Sequence, residues 1–357
     1  MDFSQDQTQE TVAEIVVGLL AREHSDPADT GGFNAELWQA LAKADLLSLA
    51  VPERLGGDGL GVAEVATMLT EIGRGAAPVP ALATLGFGLL PVLALGTTEQ
   101  QDALLDGIAG GRILTAAVAE QGSAFPAKPS TIAVADGDHV VVTGHKVAVP
   151  FADIAHRILV PTDAGVVVVA PDAPGVTLTK SATSAGGPEF SVRLDGVRVL
   201  SADVLGDGLD GVASLNRIAL ASLGAYADGL LAGATGLAAD HLTTREQFGK
   251  PLAAFQAVAQ QIADVYVTSR TLHVSALAST WRVSEGLDSE DDLDVMAYWI
   301  AAEVPAAMRT LHHLHGGLGV DVTYPMHRYF SIAKDLARLV GGASYRLDLV
   351  GARCSSI

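Results

Sequence analysis

Apolar positions recur at helical spacing near the start of the chain. Val12, Ile15, Val16 and Leu19 share one face of a stretch from Asp6 to Arg22, and Leu37, Leu41 and Ala44 do so between Asn34 and Ala44. Both predict amphipathic helices. The SDPADTGG between them carries turn residues, with Pro27 opening a connection. Val51–Gly61, VPERLGGDGLG, predicts a glycine-dense loop, followed by a helix from about Val62 to Arg74. Gly75 to Thr98 carries no charge and is long enough to cross a bilayer. Pro78, Pro80, Pro91, Gly86 and Gly88 instead predict a loop and a buried, broken helix.

From Thr115 to about Leu205 the period changes. Ile132–Val134, His139–Thr143, Ile158–Val160, Val166–Ala170 and Phe190–Leu194 are short, rich in β-branched residues and bounded by Gly, Pro or Asp, which predicts a small β domain. Helical spacing returns at Val212, where Gly224, Gly229, Gly233 and Gly236 lie among alanines and suit close helix approach in a bundle. Pro251–Ser284 and Asp291–His312 predict two further long helices, separated by the acidic SEGLDSEDDLD, a solvated loop and helix start.

Composition narrows the function. About half of the 357 residues are apolar (49%), so a large core is feasible. The 22 Lys and Arg against 41 Asp and Glu give a formal charge of −19, and no basic cluster exists to neutralise phosphates along a nucleic acid. Cys354 has no internal disulfide partner, and the N-terminus is acidic and polar rather than a basic, apolar secretory leader, so a cytoplasmic setting is expected. His312, His313 and His315 lack the paired cysteines or carboxylates of a zinc site.

The chemistry concentrates at the corner Thr243–Gln256, TTREQFGKPLAAFQ, between two helical stretches. Arg245 offers a fork of donors suited to a pyrophosphate, Phe248 a flat apolar face, and Gly249 with Pro251 a turn and the start of the next helix. The string R-x-Q-F-G-x-P-L-x-x-F-Q, Arg245 to Gln256, resembles the signature of flavin-dependent acyl-CoA dehydrogenases. So do VPERLGGDG, DGVRVLSADVLG, and His313-Leu314-His315-Gly316-Gly317-Leu318-Gly319, where His313 replaces a glutamine. The resemblance implies an α+β multidomain fold: an N-terminal helical domain (1–114), a central β-barrel or sandwich domain (115–206) and a C-terminal four-helix-bundle domain (207–357). It also implies FAD, whose adenosine diphosphate half is held from across a subunit boundary. Arg245, Gln247, Phe248, Gln256, His313, Gly316 and Gly317 are the expected cofactor-binding residues.

The same resemblance shows departures. The family's catalytic glutamate stands in one of two places, matched here by Gly341 in VGGAS and by Asn216 in LNR, so no catalytic base is expected in this chain. Ala119-Glu120-Gln121-Gly122-Ser123-Ala124 lacks the family's flavin-facing threonine. Val147-Ala148-Val149-Pro150, after Gly144-His145-Lys146, lacks its tryptophan and hydroxyl, and Ser331 and Ile332 replace Arg and Asp. This pattern resembles the catalytically incomplete subunit of actinobacterial α2β2 acyl-CoA dehydrogenases of cholesterol side-chain degradation. GAYADGLLAGA, REQFGKPL, HHLHGGLGVDVTYPMHRY and GARCSSI are the closest segments. It implies a second acyl-CoA dehydrogenase subunit that carries the glutamate, an acyl-CoA substrate and an electron-transferring flavoprotein as acceptor, with no part for nucleic acid or membrane. Two other readings remain open at this stage: an active homotetramer using Glu120 or Asp348 as base, and a flavin-free subunit that binds CoA esters or is purely structural.

Overall fold

Helices occupy the chain as far as Leu105, strands from Leu114 to Leu205, and helices again from Gly208 in this computed structural model, which describes residues 4–22 and 32–354. The turn expected at Pro27 and the last three residues of GARCSSI lie outside the described residues. The first helices follow the apolar spacing in part: α1 (Gln7–Arg22) buries Val12, Val16 and Leu20, leaving Ile15 exposed and Leu19 half-buried, and α2 (Ala35–Lys43) buries Leu37 and Leu41. Asn34 caps α2, its side chain accepting from the Leu37 N–H at 2.9 Å. Helix α3 spans Val62–Arg74 as predicted. The uncharged stretch after it is broken, though not into a simple loop: Leu82–Leu89 is a π-helix and Leu90–Leu95 is α4, followed by α5 (Thr98–Leu105). The π-helix is apolar and buried throughout Ala83–Leu89.

Backbone contacts divide the chain into two compact units, one of Asp2–Met68 with Pro78–Ser222, the other of Leu69–Ala77 with Leu223–Ile357. The first holds the two larger sheets. Strands β1 (Leu114–Ala116), β6 (Arg157–Thr162), β7 (Gly165–Val169) and β10 (Val204–Leu205) form one sheet in the order β1-β6-β7-β10, with β1 parallel to β6. Strands β2 (Ala119–Glu120), β3 (Ser123–Ala124), β4 (Ile132–Asp136), β5 (His139–Pro150), β8 (Val176–Ser181) and β9 (Glu189–Leu200) form the other. Its order is β3-β2-β5-β9-β8, and β4 pairs with β5. β5 is the spine of this sheet and carries bulges between Val142 and Gly144 and between Lys146 and Val149. Gly144 is required: a Cβ there would meet the Thr131 side chain at 2.5 Å.

The second unit is helical. Helix α6 runs from Gly208 to Thr244, followed by α7 (Gln256–Ser284), α8 (Glu290–His315), α9 (Met326–Leu339) and α10 (Ala343–Cys354). The glycines of α6 act as their spacing predicts, with one exception. A Cβ on Gly229 or Gly233 would enter the backbone of Thr70 or Arg74, one on Gly73 would enter that of Tyr226, and one on Gly224 would collide with Met296. Gly236 faces open space. Tyr329 of α9 closes this crossing, its hydroxyl donating to the Arg74 carbonyl at 2.7 Å. By length and composition α6 could cross a membrane, but 83% of its most apolar window is buried inside the chain.

Candidate cofactor-binding site

The Arg245 corner is built by hydrogen bonds that release its side chains. As α6 ends, the Arg245 N–H donates to the His241 carbonyl at 2.9 Å, and Glu246–Gln247 (β11) then pairs antiparallel with Lys250–Pro251 (β12). The two-residue turn, Phe248 and Gly249, has φ of 52° and 75°, both left-handed, as a hairpin of this length requires. Such a conformation costs a non-glycine residue about 1–2 kcal/mol, and Phe248 recovers little by burial, since it is 93% exposed. Among the described residues no carboxylate pairs with the Arg245 guanidinium. The expectation that Pro251 starts the next helix needs correction. Pro251 belongs to the hairpin, Leu252–Ala254 forms a 3-10 turn, and α7 begins at Gln256, which is exposed on its first turn.

The second candidate segment ends α8. Gly316 has φ 59° and ψ −137°, a region closed to L side chains. No atom lies within 4 Å of where a Cβ would stand on Gly316 or Gly317, so both leave open backbone at the surface, whereas Gly319 is packed against the His312 carbonyl. His313 is exposed. His315 is buried, with Nδ1 on the Leu311 carbonyl at 2.7 Å and its ring stacked on His241 at 4.7 Å between centroids and 20° between planes. His241, two residues before the Arg245 corner, and His315, 74 positions further on and next to Gly316, therefore bring the approaches to the two segments together through their imidazoles.

The positions that match the family's catalytic glutamate hold no base. Asn216 is buried, and its Nδ2 donates to the carbonyls of Phe125 and Pro126, 3.2 Å each. Phe125 is itself buried, left-handed at φ 51° and packed edge-on against Phe87. A carboxylate at 216 would face two carbonyl oxygens. Gly341 ends α9 with φ 92°, its N–H on the Arg338 carbonyl at 2.9 Å, and Gly342 follows at φ 84°. Asp348 is exposed on α10. On the flavin-facing side of the resemblance, Ala148 sits at φ 56° within the second β5 bulge, with Ala148 and Val149 both buried.

Glu120 is fully committed. Its carboxylate accepts from Lys146 Nζ at 2.7 Å, from the Ser130 N–H and hydroxyl at 2.7 and 2.6 Å, and from the Thr131 N–H and hydroxyl at 3.0 and 2.7 Å. Burial alone would raise its pKa, but Lys146, Ser130 and Thr131 together outweigh burial and hold it down to about 2. Burial also lowers Lys146, against the pull of Glu120. With the carboxyl held this far down, Glu120 is ionised at neutral pH. A carboxylate so tightly held is a poor proton acceptor, so the reading of Glu120 as a general base fails on geometry and basicity together. Sequence reading missed this pair. The Gly144-x-Lys146 spacing was its trace, because Gly144 admits Thr131, and the Ala119–Val147 pairing of β2 with β5 places Glu120 beside Lys146. Among the described residues no group of three or more His, Cys, Asp or Glu is placed to hold a metal.

Family comparison decides the class of protein. Residues 3–112 match the model for the acyl-CoA dehydrogenase N-terminal domain, and residues 212–354 the model for the acyl-CoA dehydrogenase C-terminal domain. The chain is 49% identical over 357 residues to acyl-CoA dehydrogenase FadE28 of Mycobacterium tuberculosis, covering 99% of each. The chain belongs to the acyl-CoA dehydrogenase family. It is thus a member of a class of flavin-dependent oxidoreductases, and its helical, sheet, helical order is that of the family. Two solved structures are similar over nearly the whole acyl-CoA dehydrogenase chain. One is the ChsE4–ChsE5 complex from Mycobacterium tuberculosis, with a TM-score of 0.92 at 31% identity and 100% of both chains covered. The other is a Tcur3481–Tcur3483 steroid ACAD variant, with a TM-score of 0.91 at 32% identity and 98% of both covered.

Proposed function

We propose that this chain is the non-catalytic subunit of an α2β2 acyl-CoA dehydrogenase, presenting Arg245, Gln247, Phe248, Gln256, His313 and the Gly316–Gly317 backbone to the adenosine diphosphate half of FAD bound by its partner. The observation that carries this reading is the contrast between outward and inward residues. The Arg245 hairpin projects a guanidinium that pairs with no carboxylate among the described residues and a 93% exposed ring, as a segment built to enter another chain would. The groups at the positions that could serve this chain's own chemistry are engaged internally: the Glu120 carboxylate by five donors, the Asn216 amide N–H groups by two carbonyls.

The residues present fit the nucleotide half of FAD. A guanidinium makes bidentate bonds to pyrophosphate oxygens, and bare glycine backbone permits close approach. They do not fit the ring half, where Val147–Val149 offer no side-chain hydrogen bond and Pro150 has no N–H. When bound, FAD accepts the hydride from the β carbon of the thioester as the α proton leaves. This chain holds and orients the nucleotide from across the boundary, and the partner supplies the glutamate. The substrate class we assign is a steroid side-chain CoA thioester, with an electron-transferring flavoprotein as acceptor. The family resemblance and the two heteromeric structures support this assignment.

Flavin stoichiometry tests the reading. Co-purified with a glutamate-bearing partner, the assembly is expected to hold one FAD per heterodimer by flavin absorbance against protein mass, and this chain alone is expected to be colourless and inactive. Four flavins per tetramer, or dehydrogenation by this chain alone, would overturn it. Gly341→Glu is expected to restore no turnover at this chain's own site. The glutamate would sit at a left-handed position that disfavours any side chain, and the ring contacts would still be missing. Turnover by G341E in an assembly whose partner glutamate has been removed would contradict this.

A further inference from the structure

The two segments assigned to the nucleotide are far apart in sequence, and what sets their spacing is a side-chain contact that the proposed function does not use. His241 lies on the last turns of α6, and its carbonyl receives the Arg245 N–H at 2.9 Å, so that helical turn orients the hairpin. His315 is the last residue of α8 and directly precedes Gly316. Their rings stack at 4.7 Å and 20°, and the Tyr324 ring also packs against His315, tilted by 53° with centroids 5.3 Å apart. The loop beyond Gly316 folds back on the base of the same side chain, since a Cβ on Gly319 would stand 3.2 Å from the His315 Cβ. We propose that His241, His315 and Tyr324 form a joint that holds the Arg245 hairpin and the Gly316–Gly317 loop in fixed register, and that the joint opens when both imidazoles carry a proton.

The electrostatic setting supports this. Burial lowers the pKa of His315, against the Nδ1 hydrogen bond to the Leu311 carbonyl and the weaker pull of the Leu237 backbone. Burial likewise lowers His241, helped by the positive charges of His315 and Arg245. His312, itself lowered by burial and facing His315, Lys334 and His327, adds no negative charge. Asp240, which faces the Tyr324 hydroxyl, is the carboxylate acting on this cluster. The sign follows. Both histidines bind protons less readily in the folded state than at their ordinary value of 6.5, so the joint is complete above that pH and weakens as pH falls below it. Protonation would place two cations face to face beside a third on Arg245, and the contact linking the segments would open.

The inference rests on the proposed function for its consequence, not for its test. Hydrogen exchange on the full chain without flavin, expressed as protection factors, reads the joint directly. In the wild-type chain, protection in 245–252 and 316–323 is expected to fall together, by about tenfold or more, between pH 7.5 and 5.5. His241→Phe keeps an aromatic ring and cannot charge, and it is expected to flatten this dependence. His241→Ala is expected to lower protection in both segments already at pH 7.5. A response confined to one segment, or a His241→Phe profile that titrates like the wild type, would overturn the joint. Flavin retention by the assembly at the same pH values, with Arg245→Ala alongside, keeps the two ideas separate. Full flavin in Arg245→Ala would sink the trans-donation reading, while the exchange data would still decide the joint.

Discussion

Exchanging Lys146 for methionine is expected to destabilise the chain by about 3–5 kcal/mol, the usual cost of leaving one member of a buried ion pair without the other. Both side chains are buried, Lys146 completely. Without the ammonium, Glu120 keeps its Ser130 and Thr131 donors but loses the cation it is paired with. A loss of this size is a large share of the 5–15 kcal/mol that typically separates folded from unfolded chains. The urea midpoint at pH 7 measures it, and Glu120→Gln combined with Lys146→Met should recover part of the loss, because no uncompensated charge then remains buried. The wild-type pair also predicts an acid limb. A carboxyl that titrates at about 2 when folded and near 4.5 when unfolded contributes about 3 kcal/mol above pH 4.5, lost as pH falls from there toward 2. In Lys146→Met the carboxyl titrates higher and acid unfolding should begin at higher pH. Unchanged midpoints in K146M would show that the pair is not the anchor of the β2–β5 junction.

Arg245→Ala should reduce the flavin affinity of the assembly by about ten- to a hundredfold, since a charge-assisted hydrogen bond to an ionised oxygen contributes about 1.5–3 kcal/mol. The chain itself should not notice: an exposed arginine without an internal partner changes stability within about 0.5 kcal/mol. Flavin absorbance per heterodimer after gel filtration, beside a thermal melt by circular dichroism, separates the two effects. Arg245→Lys should recover only part of the affinity, because an ammonium cannot reproduce the bidentate fork. Full flavin content in R245A would refute the role assigned to the hairpin.

Much of the fold was legible because its signals are local. The spacing of Val12, Val16, Leu37 and Leu41 marks the buried faces of α1 and α2, and the glycine-dense Val51–Gly61 places the start of α3. Strand β8, Val176–Ser181, escaped because its residues alternate between half-buried and exposed and include Lys180, a weak apolar signal on the sheet's last strand. The prolines of the uncharged stretch announced a break without announcing a π-helix, which depends on tertiary packing: a Cβ on Gly88 would collide with Leu114, and one on Gly86 with Ser222. Pro251 misled because proline commonly opens a helix, whereas here the Gln247–Lys250 and Glu246–Pro251 pairing claims it for a hairpin. At the site, the chemistry of Arg245 and the glycines could be read directly. The Glu120–Lys146 pair and the His241–His315 stack could not, since each joins residues that only a sheet register or two helix ends bring together.

The crossing of α3 and α6 bears on how this chain can be cut and recombined. Gly73, Gly229 and Gly233 interlock with the backbones of Tyr226, Thr70 and Arg74, leaving no space for a methyl group on any of the three. Residues 69–77 therefore belong with the C-terminal helices, although some 145 residues of sheet and helix intervene before Leu223. The N-terminal helices are consequently not a portable cassette. A chimera joined anywhere between Ala77 and Leu223 separates each glycine from the carbonyl it was fitted to, and donor and recipient would have to share this crossing for the graft to take.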